Sequence, residues 1–296
     1  MLPYLALTLA MLLWASSFIA LKIVFAVFDP VFVLFCRMII ATICMLPFFM
    51  GRAERWKYRP GDWKWLLLMG LCEPCLYFLF EATALLNTSA SQASMITATL
   101  PLLVAVGAHF LLRDRQSSLV WLGLAMSVGG VIWLTGGSEA SEAAPAPVLG
   151  NFLEFLAMVC ASGYVLIAKK LSTRFSALAI TATQTVLGSV WFGAILLTPW
   201  AQWPSHYPLE AMAWVLYLGV CISLGAYGLY TWGVSKVPVA LAGSFINLIP
   251  VFTLGMAAVM LNERMTGTQW LAAGLVLLGV FISQFKGWPQ RWRRKN

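Results

Sequence analysis

The sequence predicts an all-α integral membrane protein, with ten transmembrane helices arranged as two inverted five-helix repeats. Three observations predict it. Of 296 residues, 61% are hydrophobic and only 10% are charged, against about 25% charged in a soluble domain. The second half repeats landmarks of the first at a constant offset of 149 residues: Trp65, Gly70, Cys72, Pro101, Leu112, Trp121 and Gly130 recur as Trp214, Gly219, Cys221, Pro250, Leu261, Trp270 and Gly279. The basic residues fall almost entirely on one side of the predicted membrane.

Runs of about 20 apolar residues are long enough to cross a bilayer. Ten are found, at 3–26, 30–50, 63–86, 91–112, 117–136, 150–170, 177–199, 210–234, 240–261 and 267–286. The first has no basic leader and is too long for a signal-peptide core, so it is expected to stay in the mature chain. The fourth and ninth each carry a proline, Pro101 and Pro250, which removes a backbone hydrogen bond and kinks the helix. Small and polar residues precede both: Ser91, Ser94, Thr97 and Thr99 in one, Gly243, Ser244 and Asn247 in the other. They suit either close helix packing or the wall of a hydrated cavity. The stretch 137–149 is rich in Ala, Pro, Ser and Glu and lacks Lys and Arg. It divides the chain into a first repeat (1–136), an external linker (137–149), a second repeat (150–286) and a basic tail (287–296).

Five spans per repeat is an odd number, so the second copy must enter the membrane from the opposite side. Charge agrees. Of 19 Lys and Arg, sixteen fall on one side, in 51–64, 113–115, 169–174, Lys236 and 286–295; Arg264 falls on the other, and Lys22 and Arg37 lie within spans. By the positive-inside rule both termini are cytoplasmic. The net charge of +8 therefore reads as a topology signal and a contact with anionic lipid rather than as a nucleic-acid surface.

A charge at the centre of a membrane helix costs at least about 2.5 kcal/mol and needs a reason. Glu73 lies near the middle of the third span, and Glu81 lies two turns further out with Tyr77 between them. Lys22 and Arg37 lie in the outer parts of the first and second spans, Glu154 near the outer end of the sixth, and His109 near the inner end of the fourth. Lys22, Arg37 and Glu81 share the outer half of the membrane. They read either as snorkelling plus one salt bridge, or as a site that binds or gates a zwitterionic or acidic solute. Arg37–Glu81 and Lys22–Glu81 are both open as pairings. Glu73 reads as a proton-coupling group, because apolar surroundings disfavour its ionised form, or as a neutral acid bonded to a carbonyl freed by Pro74.

Trp14, Tyr77, Tyr164, Tyr227 and Tyr230 lie well inside spans. A tyrosine hydroxyl in lipid needs a partner, which favours interior positions. With Glu81, Thr97 and Asn247 these residues are the candidate substrate-binding set. Glu73, Lys22 and Arg37 are the candidate coupling or gating set. All six cysteines fall inside spans. Cys72-Glu73-Pro74-Cys75 has CxxC spacing but lies mid-helix without a second ligand pair, so neither a metal nor a cofactor is expected.

Trp14-Ala15-Ser16-Ser17-Phe18 resembles the W-[GA]-[ST]-x-[FY] signature of the EamA branch of the drug/metabolite transporter superfamily. The proline of the fourth span, the acidic residues Asp114 and Glu263 after the fourth and ninth, and Gly123, Gly130, Gly274 and Gly279 of the fifth and tenth fit as well. The resemblance covers the whole chain. It implies a ten-helix bundle in the bacterial inner membrane, with a central cavity lined by the first, third, fourth, sixth, eighth and ninth spans. Family members mostly export amino acids, other metabolites or toxic compounds. In the second copy the signature is Cys160-Ala161-Ser162-Gly163-Tyr164, so the role of Trp14 does not carry over to Cys160.

A duplicated, inverted membrane unit is a usual architecture of secondary transporters, with the solute bound between the copies near mid-bilayer. The sequence is therefore read as an exporter of small amphipathic or zwitterionic metabolites, or as a proton-coupled importer of similar solutes. Its partners are a small-molecule substrate, protons and the lipid bilayer. No P-loop is present to spend ATP within this chain. Intramembrane catalysis is the remaining alternative; the two histidines, His109 and His206, lie near opposite faces without an HExxH-type neighbour. The chain is accordingly not expected to be an enzyme.

Overall fold

The structure is a computed structural model, and it describes residues 1–50, 58–113, 116–234, 236–237 and 245–284. Every regular element among them is helical. In chain order these are α1 (Leu2–Phe25), α2 (Pro30–Met50), α3 (Asp62–Gly70), the π-helical segment π1 (Leu71–Leu76), α4 (Tyr77–Asn87), α5 (Ala90–Thr97), α6 (Leu100–Leu112), α7 (Ser118–Gly136), α8 (Pro147–Leu171), α9 (Ala177–Leu196), α10 (Leu209–Tyr217), π2 (Leu218–Ala226), α11 (Tyr227–Val234), α12 (Leu248–Met260) and α13 (Gly267–Gln284). Seven helical stretches are long and apolar enough to cross a membrane; Pro30–Leu46, Leu248–Met260 and Gly267–Ser283 are apolar but shorter. This is a multi-pass membrane protein. Arg52, Arg55, Lys57, Asp114, Arg115, Gly243, Ser244 and the basic tail lie outside the described residues.

Local chemistry sets the helix ends. Ser89 and Ser176 cap α5 and α9 by accepting from Gln92 N and Ala179 N, each at 3.1 Å. Thr266 and Gln269 form a reciprocal capping box at α13: Thr266 N donates to Gln269 Oε1 (2.9 Å) and Gln269 N to Thr266 Oγ1 (3.3 Å). Asp29 Oδ1 accepts from Val31 N at 2.8 Å ahead of α2, with Pro30 as the first helical residue. Arg113 and Asn262, at matching positions of the two halves, both take positive φ (56° and 54°) where α6 and α12 end.

The expected proline kinks appear as full breaks. Helix α5 stops at Thr97 and α6 starts at Leu100, because Pro101 has no N–H for the carbonyl four residues back. The gap closes by tighter turns, with Ala98 N on Met95 O (3.3 Å) and Thr99 N on Ile96 O (2.9 Å), and Thr99 Oγ1 adds a bond to Ile96 O (2.7 Å). Before Pro250, Ile249 N bonds Ile246 O at 3.0 Å in the same way. The third predicted span is broken too. Glu73 is extended (φ −147°, ψ 120°), as expected of a residue before proline, which is pushed out of the helical region.

Packing pairs elements across the halves. Helix α1 lies on α11 and α12, α4 and α6 on α8, α2 on α9 and π2, and α7 on α13. The last contact is backbone against backbone. A Cβ on Gly123 would come 2.3 Å from Gly279 O, and one on Gly130 would come 3.0 Å from Ala272 O. Glycine is required at both positions by this approach. Ser127 Oγ donates to Val276 O at 2.9 Å between the same helices. Side chains such as Leu5, Ile43, Ile132, Val190, Val259 and Leu271 face outward, as lipid contact requires, while polar groups gather within.

Candidate functional site

The centre of the bundle gathers carboxyl, phenol and amide groups from five helical segments, π1, α4, α8, α9 and α11. Because Glu73 leaves the helix, its main-chain carbonyl is free to accept, and Gln184 Nε2 of α9 donates to it at 3.3 Å. Its side chain is buried, and Tyr227 Oη at the start of α11 donates to Oε1 at 2.7 Å. The Tyr227 ring packs edge-on against Trp14 of α1 (5.2 Å between centroids), and Trp14 also meets Tyr230 at 5.0 Å. Tyr164 of α8 donates to Gln184 Oε1 at 3.3 Å.

A second cluster lies further along α4. Tyr77 Oη donates to Glu81 Oε1 at 2.8 Å, one helical turn away. Thr97 Oγ1 of α5 donates to Glu154 Oε1 of α8 at 3.2 Å. The Glu81 and Glu154 carboxyls act on one another electrostatically, and Tyr77 is within reach of both. Glu154 is 0% exposed, and its Oε2 has no hydrogen-bond partner among the described residues.

Arg37 of α2 is also buried. Its Nε donates to Ser223 Oγ of π2 at 2.9 Å, and its guanidinium stacks over Phe78 at 4.3 Å. Ser223 Oγ in turn donates to Leu218 O, five residues back, at 3.0 Å, so the π-helical turn supplies the hydroxyl that orients Arg37. Arg37 lies within electrostatic reach of Glu73 and Glu81, but it forms no salt bridge with Glu81. Neither does Lys22. Lys22 Nζ donates to Ala143 O in the linker at 2.6 Å, and its electrostatic partner is Glu263. Lys22 thus leaves the central set, since a flexible amine reaches the surface loop at lower cost than it enters the core.

Of the remaining sequence candidates, Asn247 lies in the turn before Pro250, with its Oδ1 buried and unpartnered among the described residues. Pro101 and Pro250 shape the breaks and contribute no polar contact here. Three participants stand outside the candidate sets drawn from sequence: Glu154, named there only as a charge near the outer end of the sixth span, and Gln184 and Ser223 of the seventh and eighth spans. A polar side chain within each apolar run was the available signal. A cavity of about 30 Å³ adjoins Glu73, lined by Met38, Phe78, Thr181, Thr185 and Ser223 among others. It has room for about one water. It is walled by α2, α4, α9, α11 and the two π segments, so of the six spans implied by the resemblance it shares the third and eighth but not the first, fourth, sixth and ninth, and it adds the second and seventh. The Trp14–Tyr227–Tyr230 cluster fills part of the space that a larger cavity would need.

Away from the centre, the loop after α12 is fixed to the first half. Glu263 accepts from Ala90 N and Ser91 N (2.9 Å each) and from Ser91 Oγ (2.6 Å) at the start of α5. This uses the positive end of the helix. Beside it, Thr88, Gln92, Ser138, Asn151 and Gln269 form a connected polar network. Glu263→Ala is expected to destabilise the fold by about 1–2 kcal/mol, the scale of losing a cap. Thermal unfolding in detergent measures this, and Glu263→Gln should fall between the two.

Relatives agree with this architecture. The sequence pattern of the EamA-like transporter family matches residues 1–136 and 148–285. The uncharacterized transporter YetK of Bacillus subtilis is 27% identical over 71% of this chain, and the match spans 65% of YetK, just under two thirds of its length. The uncharacterized transporter sll0355 of Synechocystis is 27% identical over 91% of this chain and 86% of its own. A solved crystal structure superposes with a TM-score of 0.64 at 19% identity, over 95% of this chain and 96% of that one, a likeness of fold alone. The chain belongs to the EamA-like transporter family.

Proposed function

We propose that this protein is a secondary transporter that exports small amphipathic or zwitterionic metabolites, amino acids or related compounds, by alternating access at the Glu73–Tyr227 centre. Ten helices form two inverted repeats, 1–136 and 150–286, joined by the external linker 137–149 and followed by the cytoplasmic tail 287–296. The membrane is the bacterial inner membrane, with both termini in the cytoplasm. Support for the inversion comes from reciprocity. Gly123 meets Gly279, and Gly130 meets Ala272; at the offset of 149 each contact is the image of the other, the signature of a two-fold relation. Gly70 abuts Leu187 and its counterpart Gly219 abuts Ile40, two residues from the image position Met38.

The observation that carries the functional reading is the 2.7 Å Tyr227–Glu73 bond. It joins the two halves through a buried ionisable group, where protonation or a solute can trade with the contact. Trp14, Tyr77, Glu81, Thr97, Tyr164, Tyr227, Tyr230 and Asn247 surround the solute; Glu73 is the coupling group and Arg37 gates beside it. The test is uptake by proteoliposomes of a panel of amino acids and related metabolites, with and without an imposed pH gradient. Uptake of at least one, above empty liposomes, is expected. Uptake of none removes the metabolite reading, and a rate indifferent to the gradient removes the coupling role of Glu73.

A further inference from the structure

Charge in the core does not balance. Among the described residues, the buried charged side chains are Asp62, Arg37, Glu73, Glu81 and Glu154. Asp62 is neutralised by Arg174 in a two-pronged contact at 2.7 Å. Three carboxyls then face one guanidinium, a net charge of −2 when all are ionised. Lys22 does not redress this, because its amine is held by the linker. An uncompensated buried charge costs several kcal/mol, so the core is relieved either by protons on its carboxyls or, with the carboxyls ionised, by a cation. One acceptor, Glu154 Oε2, is fully enclosed and unused. Three rings, Trp14, Tyr227 and Tyr230, cluster beside Glu73, and such faces attract ammonium groups.

We infer that the central site selects solutes bearing a net positive charge, whose ammonium group is held by Glu81 and Glu154 with the Trp14 cluster at its side. The inference rests on the transporter reading and narrows it from zwitterions to organic cations. Glu154 becomes a specificity-determining residue. Thr97 and Tyr77 occupy one oxygen each of Glu154 and Glu81, so entry of the ammonium exchanges these neutral donors for a charged one, a stronger partner.

Three compounds that share a benzene ring and differ in charge test this: phenethylamine (cation), phenylalanine (zwitterion) and phenylacetate (anion). Binding to the purified full-length protein is measured by equilibrium dialysis at pH 7. Phenethylamine should bind at least about ten-fold more tightly than phenylalanine, the size of one hydrogen bond to a charged group, and phenylacetate more weakly than either. Glu154→Gln should remove most of that preference and Glu154→Asp should keep part of it. Preference for phenylalanine or phenylacetate, or an unchanged preference in Glu154→Gln, overturns the inference. If none of the three binds the wild-type protein, the cation site is also refuted. The broader uptake panel judges transport separately: uptake of phenylalanine without phenethylamine would leave the transporter standing and the cation site gone.

Discussion

Glu81→Gln is expected to abolish transport while leaving the protein folded. The amide has nearly the shape of the carboxyl, and its oxygen can still accept from Tyr77, so the 2.8 Å bond survives. What disappears is charge. Arg37 acts electrostatically on Glu81, and among the described residues its side chain is otherwise held by the Ser223 hydroxyl and the Phe78 face. The partnership with Glu154 is lost as well. A charge-assisted contact is worth about 1.5–3 kcal/mol, so the initial uptake rate should fall by about 100-fold. Size-exclusion and thermal profiles should match the wild type. Normal uptake in a folded Glu81→Gln protein would exclude Glu81 from the solute path.

Gly123→Leu is expected to cause a large loss of stability. A Cβ at this position would sit 2.3 Å from Gly279 O and 2.8 Å from Ser283 Cβ. The nearer atom is backbone and cannot rotate away. Overpacking costs about 1–3 kcal/mol, and more where nothing yields, so the leucine variant should show a clearly lowered unfolding midpoint and a smaller monodisperse fraction in detergent. Gly129→Leu is the internal control. It lies on the same helix, its Cβ meets nothing within 4 Å, and it should be near neutral. Equal loss in both variants would mean that helix propensity or insertion, not the α7–α13 contact, decides the outcome.

The all-helical membrane character was legible because membrane helices obey a simple length rule. The bends at the prolines, the interior tyrosines and the burial of Glu73 followed from residue type and depth. Pairing was not legible. Arg37 faces Ser223 rather than Glu81 because π2 turns a hydroxyl inward, and apolar periodicity carries no trace of a π-helical turn. Glu154 lies near one end of α8 in sequence, yet it is 0% exposed, since α8 packs along α4 and α6 and depth along a helix says nothing about which side faces the bundle. Lys22 read as an intramembrane charge and proved to be bound to the linker, because its long stem carries the amine away from where the Cα sits.

The α7–α13 contact is built from main-chain atoms, with Gly123 and Gly279 at one crossing and Gly130 at the other. Main-chain atoms have no rotamers to exchange, so the close approach at these two crossings cannot repack by small steps. The contacts around Glu73, Glu81 and Arg37 are side-chain hydrogen bonds, which break and re-form singly. In the proposed transport cycle these two kinds of contact act as a rigid axle and a set of releasable catches: the halves would swing about α7 and α13 and open at the carboxyls.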